Sequence, residues 1–276
     1  MNTRSGTVKK DVGEVIVITS GKGGVGKTTT TATLGAALAL RGKRVLVIDA
    51  DIGLRNLDVI LGLENRIVFN LVDVAKKSCK PNQAIIKSKK SNNLFLLPAS
   101  QTDDKDVIDE AEVRYVLDQF RREFHYILVD SPAGIEQGFR NACAGADTAI
   151  VVTTPEVSAI RDADRVVGLL SSKGIEPQLI INRIDLDMVK RGDMLSVKDV
   201  QDILGVHLLG VVERDESIIV AANCGEPVVY NVKSKAGQAF SRIAARLCGE
   251  NVPVPSLAGQ SLWGRVARRL GVGAAS

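Results

Sequence analysis

Chemistry in this chain starts at Gly21-Lys22-Gly23-Gly24-Val25-Gly26-Lys27-Thr28. Glycines at this density let backbone N–H groups curl around a polyphosphate, a following helix adds its positive dipole end, and Lys27 neutralises the β and γ oxygens. The Thr28 hydroxyl is placed to ligate the magnesium that accompanies such a ligand. The pattern G-x-x-x-x-G-K-T is specific only with a buried strand before it and a helix after it. Both are present, because Val15-Ile16-Val17-Ile18 leads in and Thr28 to Arg41 leads out. The chain is therefore expected to bind a nucleoside triphosphate with Mg2+, with ATP expected and GTP as the competitor to test.

Carboxylates follow two later apolar runs. Asp49 and Asp51 stand two apart after Val45-Leu46-Val47-Ile48, and Asp130 follows Tyr126-Ile127-Leu128-Val129. Ligands of open α/β sheets bind at the C-terminal ends of strands, where these acids fall. Aspartate is also a favoured helix cap, but two acids on one side of an extended exit favour joint work with metal and water. Asp130 takes the position that holds magnesium through a water, and Gly134 in Asp130-Ser131-Pro132-Ala133-Gly134 offers a backbone N–H and freedom to swing. The segments carrying Asn56 and Gly134 are the expected switches. Asn182-Arg183 and Glu213-Arg214-Asp215 close two further strands at the same edge.

A sheet must position these residues. Apolar runs recur at Val15–Ile18, Val45–Ile48, Leu94–Leu97, Tyr126–Val129, Ala149–Val152, Leu179–Ile181 and Leu208–Val212, with helix-like stretches between them. They are apolar throughout rather than alternating, as strands covered on both faces must be. Helices are read at Thr28 to Arg41 before Gly42, Ser158 to Lys173 before Gly174, and Ala236 to Leu247; Ser196-Val197-Lys198-Asp199 opens another as a capping box ending near Leu204. The βαβα order predicts an α/β fold with a doubly wound, mostly parallel sheet and helices on both faces. Residues 1–14 read as a loose extension, 15–250 as the body, 251–260 as a Pro/Ser/Gly linker and 261–272 as a separate amphipathic helix.

Composition narrows the functional classes. With 36 basic and 32 acidic residues the chain carries only +4, and no acid follows Glu250 whereas Arg265, Arg268 and Arg269 do. The body is thus nearly neutral and not built to coat nucleic acid. Cys79, Cys143, Cys224 and Cys248 form no C-x-x-C pair, which argues against zinc, an iron-sulfur cluster or a disulfide framework. No apolar run approaches the ~18 residues that span a bilayer.

The string Lys22-Gly23-Gly24-Val25-Gly26-Lys27-Thr28-Thr29 resembles the deviant phosphate loop of the ParA/MinD family of ATPases. Further likeness lies in Gly53-Leu54-Arg55-Asn56-Leu57-Asp58, Pro98 to Asp106, Asp130 to Glu136, Arg161-Asp162-Ala163-Asp164-Arg165 and Arg191 to Ser196, and it covers the body from Val15 to about Gly249. These strings point to the division-site branch of the family. The resemblance implies an ATP-bound homodimer in which Lys22 acts in trans on the partner's nucleotide, as an arginine finger would. It places Asp49 near magnesium, makes Asp51 the residue that orients or deprotonates the attacking water, and gives Asn182 the adenine, with Arg183 stacking on the ring. By the same likeness Arg161, Asp162 and Asp164 form the docking face for a MinC-like division inhibitor and a MinE-like topological regulator. The implied location is the inner face of the cell membrane, or the plastid stroma and inner envelope. A partition ATPase that binds DNA without sequence preference is the alternative, and the neutral body disfavours it.

Beyond the linker, Leu262, Trp263, Val266 and Leu270 fall on one helical face, while Arg265, Arg268 and Arg269 take the other. An aromatic beside arginines suits an anionic lipid surface. Four apolar side chains at about 2 kcal/mol each and three arginines at about 1 kcal/mol give about 11 kcal/mol at most, against about 10 kcal/mol for ordering ten residues. One tail is therefore marginal. Two tails on a dimer make the second insertion intramolecular and convert a weak anchor to a firm one.

Overall fold

The computed structural model describes residues 12–255. Strand β1 (Glu14–Thr19) runs into the phosphate loop and helix α1 (Lys27–Leu40), and β2 (Val45–Asp49) leads through the short helices α2 (Leu57–Ile60), α3 (Leu71–Ala75) and α4 (Pro81–Ala84). Strands β3 (Ile86–Lys87) and β4 (Leu94–Leu97) then precede α5 (Glu110–Phe120), β5 (Tyr126–Asp130), α6 (Gln137–Ala142), β6 (Thr148–Thr153) and α7 (Val157–Ser172). The chain closes with β7 (Pro177–Ile184), α8 (Leu186–Arg191), α9 (Val197–Leu204), β8 (His207–Glu213), α10 (Ser217–Asn223) and α11 (Lys235–Leu247).

The eight strands form one sheet in the order β3-β4-β2-β5-β1-β6-β7-β8, parallel except where β3 meets β4. Each central strand feeds two cores. In β1, Val15 and Val17 join the cluster under α5, α7 and α9, while Ile16 and Ile18 join the one under α1 and α11. Both sides of the pleat must therefore be apolar, which is why the runs do not alternate. Helix α1 is buried almost all round beneath α11, so small residues such as Ala32, Gly35, Ala36 and Ala39 occupy it.

The expected strands and helices occur within a few residues of their sequence boundaries, and Ser196 and Asp199 form the reciprocal capping box at α9. Strand β3 is an addition, two residues long and antiparallel, too short for any periodicity to betray it. The body also starts earlier than residue 15. Gly13 donates its N–H to the Arg121 carbonyl at 2.6 Å, and a Cβ there would lie 2.0 Å from the Phe124 carbonyl oxygen. Asp147 accepts from the Val15 N–H and the Arg121 guanidinium, both at 2.8 Å, which locks the start of β1. At the other end, residues 251–255 of the expected linker lie against the body. The tail residues Leu262 to Leu270 fall outside the described residues, as do residues 1–11.

Helix α11 covers edge strand β8 through a bare glycine: a Cβ on Gly210 would sit 2.3 Å from Cγ1 of Ile243. Gly210→Ala is expected to destabilise the fold by about 1–3 kcal/mol through overpacking. Combined with Ile243→Ala, which opens the space, the loss in urea unfolding should be smaller than the sum of the single losses.

Candidate functional site

Register brings the functional residues together. Strand β5 lies between β1 and β2, pairing Ile18 with Asp130 and Asp49 with Asp130, so the ends of three strands meet beneath the phosphate loop. Gly24 and Gly26 take φ of 78° and 94°, a left-handed backbone that side chains resist. Gly26 caps α1 without a side-chain hydrogen bond, which leaves the first-turn N–H groups facing the loop.

Lys27 is 8% exposed, with Nζ 3.4 Å from Oδ1 of Asp130, and the Thr31 hydroxyl donates to the same oxygen at 3.1 Å. Burial pushes the Asp130 carboxyl up, and Lys27, Thr28 and Thr31 pull it back. Its other oxygen, Oδ2, is buried without a hydrogen-bond partner. An orphaned carboxylate oxygen beside the Thr28 hydroxyl fits a hydrated magnesium. Among the described residues no group of three or more His, Cys, Asp or Glu side chains could hold a metal. Phosphate oxygens and water would complete the shell, as is usual for Mg2+, and the ion's chemistry would be to neutralise charge between the β and γ oxygens.

Asp49, expected near magnesium, has another duty. Its Oδ1 accepts the Asp51 N–H at 3.0 Å, and Oδ2 accepts those of Asn56 and Leu57 at 3.2 and 3.1 Å. It staples the Asp51–Leu57 loop to the end of β2. Burial, with the Asp130 charge alongside, pushes this carboxyl up to about 7. Asp51 is half-buried at the start of the stapled loop; burial raises its carboxyl, opposed by Lys27 and Lys105. Arg55, whose part in the site the residue types did not reveal, holds a left-handed φ of 42° and places Nε 2.8 Å from Oδ2 of the fully buried Asp58.

Gly134 donates its N–H to the Ser20 carbonyl at 3.0 Å with φ 93°. That donor must leave Ser20 before it can meet a phosphate. Asn182, expected at the adenine, is buried behind the loop: Nδ2 donates to the Val25 carbonyl at 2.8 Å and Oδ1 accepts the Arg183 N–H at 2.9 Å. A Cβ on Gly26 would lie 2.4 Å from that Nδ2. The asparagine thus braces the phosphate loop, and its brace explains why position 26 carries no side chain. Arg183, with φ 57°, instead faces a cleft of about 1020 Å³ together with Asp185, Met194, Arg214, Asp215 and Ile219. Asp215 accepts from the N–H groups of Ser217 and Ala236 and from the Ser234 hydroxyl; burial opposes its ionisation, but these bonds hold its carboxyl well below the usual range.

Helix α7 touches the loop directly. A Cβ on Gly21 would lie 2.2 Å from the carbonyl carbon of Asp162 and 2.7 Å from the Ala163 nitrogen, so the loop rests on the helix backbone. Arg161 and Asp164 are exposed on that helix and Asp162 is half-buried. The Lys22 side chain, 47% exposed, runs to the start of α7, with Nζ 3.3 Å from the Ser158 hydroxyl and 4.0 Å from Glu156. Gly23 has open space around it, and Thr29 lies on the first turn of α1.

Residues 16–228 match the family described as CobQ/CobB/MinD/ParA nucleotide binding domain. The septum site-determining protein MinD of Bacillus subtilis is 51% identical over 253 residues, 91% of this chain and 94% of that protein. The chain belongs to the MinD family. Among solved structures, the MinC:MinD cell division protein complex of Aquifex aeolicus is similar to this MinD-family chain with a TM-score of 0.83 and 51% identity, covering 88% of this chain and 98% of that one. MinD of Pyrococcus horikoshii complexed with Mg-ADP has a TM-score of 0.78 at 32% identity, covering 85% and 95%. Family membership accounts for the nucleotide-binding fold and its parallel sheet.

Because the folded Asp49 carboxyl is raised above the unfolded value of about 4, the native state binds the extra proton between the two values. Its contribution to stability is present below that unfolded value and is lost as pH rises through about 7. In protein free of nucleotide and magnesium, urea stability should fall between about pH 5 and pH 8, and Asp130→Asn, which removes the neighbouring charge, should flatten that slope.

Proposed function

We propose that this chain is an ATP-hydrolysing switch that places the division site: ATP and Mg2+ join two copies, the dimer holds to an anionic membrane surface, and hydrolysis releases it. The observation that carries the reading is Lys22. Its ammonium points away from its own loop to the start of α7, half-exposed and held among the described residues by Ser158 and Glu156 at 3.3 and 4.0 Å, so little must break for it to reach a second subunit's nucleotide. Exposed contacts of this kind are worth at most about 1 kcal/mol.

The remaining parts take consistent roles. Gly21 through Thr29 cradle the phosphates; Thr28 and Asp130 hold Mg2+; Asp51 orients the attacking water; and the segments with Asn56 and Gly134 respond to loss of the γ-phosphate. Asp49 supports the metal region by fixing the loop that carries Asp51. Arg183 lines the base cleft, and Asn182 supports the loop from behind. Arg161, Asp162 and Asp164 receive a MinC-like inhibitor and a MinE-like regulator, and the backbone contact at Gly21 carries nucleotide state to that helix. The tail, with Leu262, Trp263, Val266 and Leu270 toward lipid and Arg265, Arg268 and Arg269 toward headgroups, is the anchor. The location is peripheral, on the inner face of the cell membrane or its plastid counterpart; among the described residues no helix is long and apolar enough to cross a membrane.

Vesicle sedimentation with ATP, ADP or no nucleotide tests the reading, on the intact chain and on one ending at Pro255. Binding that ignores nucleotide or survives truncation would refute it. Lys22→Ala is expected to retain ATP binding and lose dimer-dependent hydrolysis by about 10²-fold or more, the scale of a lost transition-state contact. Asp51→Ala should stay dimeric in ATP by light scattering while turnover stops; a monomer would sink its assignment to the water.

A further inference from the structure

The residues after α11 do not leave the body where the helix ends. Gly249, with φ 84°, turns the chain back, and its N–H bonds the Arg246 carbonyl at 2.9 Å. Glu250 pairs with Arg41, and the Tyr126 hydroxyl donates to the Leu247 carbonyl at 3.1 Å. Arg246 then gathers three carbonyls: Nη1 donates to Leu209 of edge strand β8 at 2.8 Å, Nε to Val252 at 2.7 Å, and Nη2 to Pro253 at 2.8 Å. A planar guanidinium with donors fanned in three directions suits this arrangement, and a single ammonium does not reproduce it.

The chain crosses the sheet edge as it goes. Leu247 and Cys248 pack on the core under α11, whereas Val254 packs on the core of the opposite face. Pro255 arrives beside Val211, Glu213, Lys235, Gln238 and Arg242. Glu213 ends β8 and Lys235 begins α11, so the strap has travelled back to the C-terminal edge of the sheet, the edge that carries the phosphate loop. Five extended residues reach about 17 Å, close to the length of α11, which makes the return possible.

We propose that Arg246 is a positioning residue for the C-terminal tail: its clasp docks residues 250–255 across edge strand β8 and hands the chain off at the nucleotide edge. The inference rests on the membrane reading of the tail for its consequence, though not for the clasp itself. With the clasp closed, six residues separate Pro255 from Leu262; with it open, twelve separate Gly249 from Leu262. Doubling a tether lowers the effective concentration of a second anchor by about threefold. The clasp also fixes where on each subunit the tail starts, so a nucleotide-joined pair presents both tails from the same edge.

A spin-label pair at positions 238 and 255 reports the clasp without a membrane. One short, narrow distance is expected in the otherwise unchanged chain, and a longer, broad one in Arg246→Met; a broad distribution in both, or a narrow one in both, overturns the proposal. On vesicles of phosphatidylcholine and phosphatidylglycerol with ATP, Arg246→Met should bind about threefold more weakly with ATP binding unchanged. A seven-residue Gly/Ser insertion after Pro255, which lengthens the tether and leaves Arg246 in place, should weaken binding to the same extent. If the insertion weakens binding and Arg246→Met does not, the clasp is refuted while the anchor stands. If vesicle binding of the unchanged chain ignores ATP, the membrane reading fails and the spin-label distances alone decide the clasp. Should Arg246→Met fail to fold, the distance distribution of the unchanged chain decides it.

Discussion

Charge imbalance at the ends of three neighbouring strands governs this molecule. Asp130 and Asp49 are paired in register, each about 1% exposed, and among the described residues the buried ammonium nearby is that of Lys27. Two buried carboxylates against one ammonium leave negative charge in a medium that penalises it, which is why burial raises both acids. Backbone N–H groups relieve Asp49, but among the described residues Oδ2 of Asp130 is buried outside the hydrogen bonds that Lys27 and Thr31 give to Oδ1. A divalent cation with a polyphosphate would restore the balance that protein groups leave open. Ligand binding and local stability are thus one electrostatic problem.

Everything around that centre is attached to it by short links. The Asp49 staple sets the position of the loop that holds Asp51 and, further on, the strained Arg55 with its buried partner Asp58. Gly134 is tied to Ser20 at the mouth of β1, and Asn182 is tied to Val25 from behind. Gly21 lies on the backbone of α7 with no room for a methyl group between them. Closely packed backbone does not deform smoothly, so a change at the phosphates has rigid routes toward the exposed charges of that helix.

Much of this was legible in the residues. Runs apolar on both faces specify a covered parallel sheet, glycine and lysine spacing specifies a phosphate loop, and Ser196 with Asp199 specifies a helix start. Those signals are local: each depends on a few neighbours in the chain and on backbone chemistry that any fold must respect. The resemblance to a family extended them to roles, and the relatives bear out that membership.

Tertiary structure decided which atoms meet across long separations. Asn182 carries the same side chain whether it faces a ligand or a backbone, and only the approach of β7 to the loop chooses between these. The two-residue strand β3, the lock of Gly13 on Arg121 and the Arg246 clasp likewise have no period or motif, because each is made by a partner 8 or 10, 108 or 37 residues away. The sequence determined by itself a phosphate-loop pattern on a doubly wound sheet, since that needs only local spacing and apolar periodicity. How Asp130 meets Lys27 and Thr31, and where the chain leaves the body, are set by packing between distant segments, which no local pattern encodes.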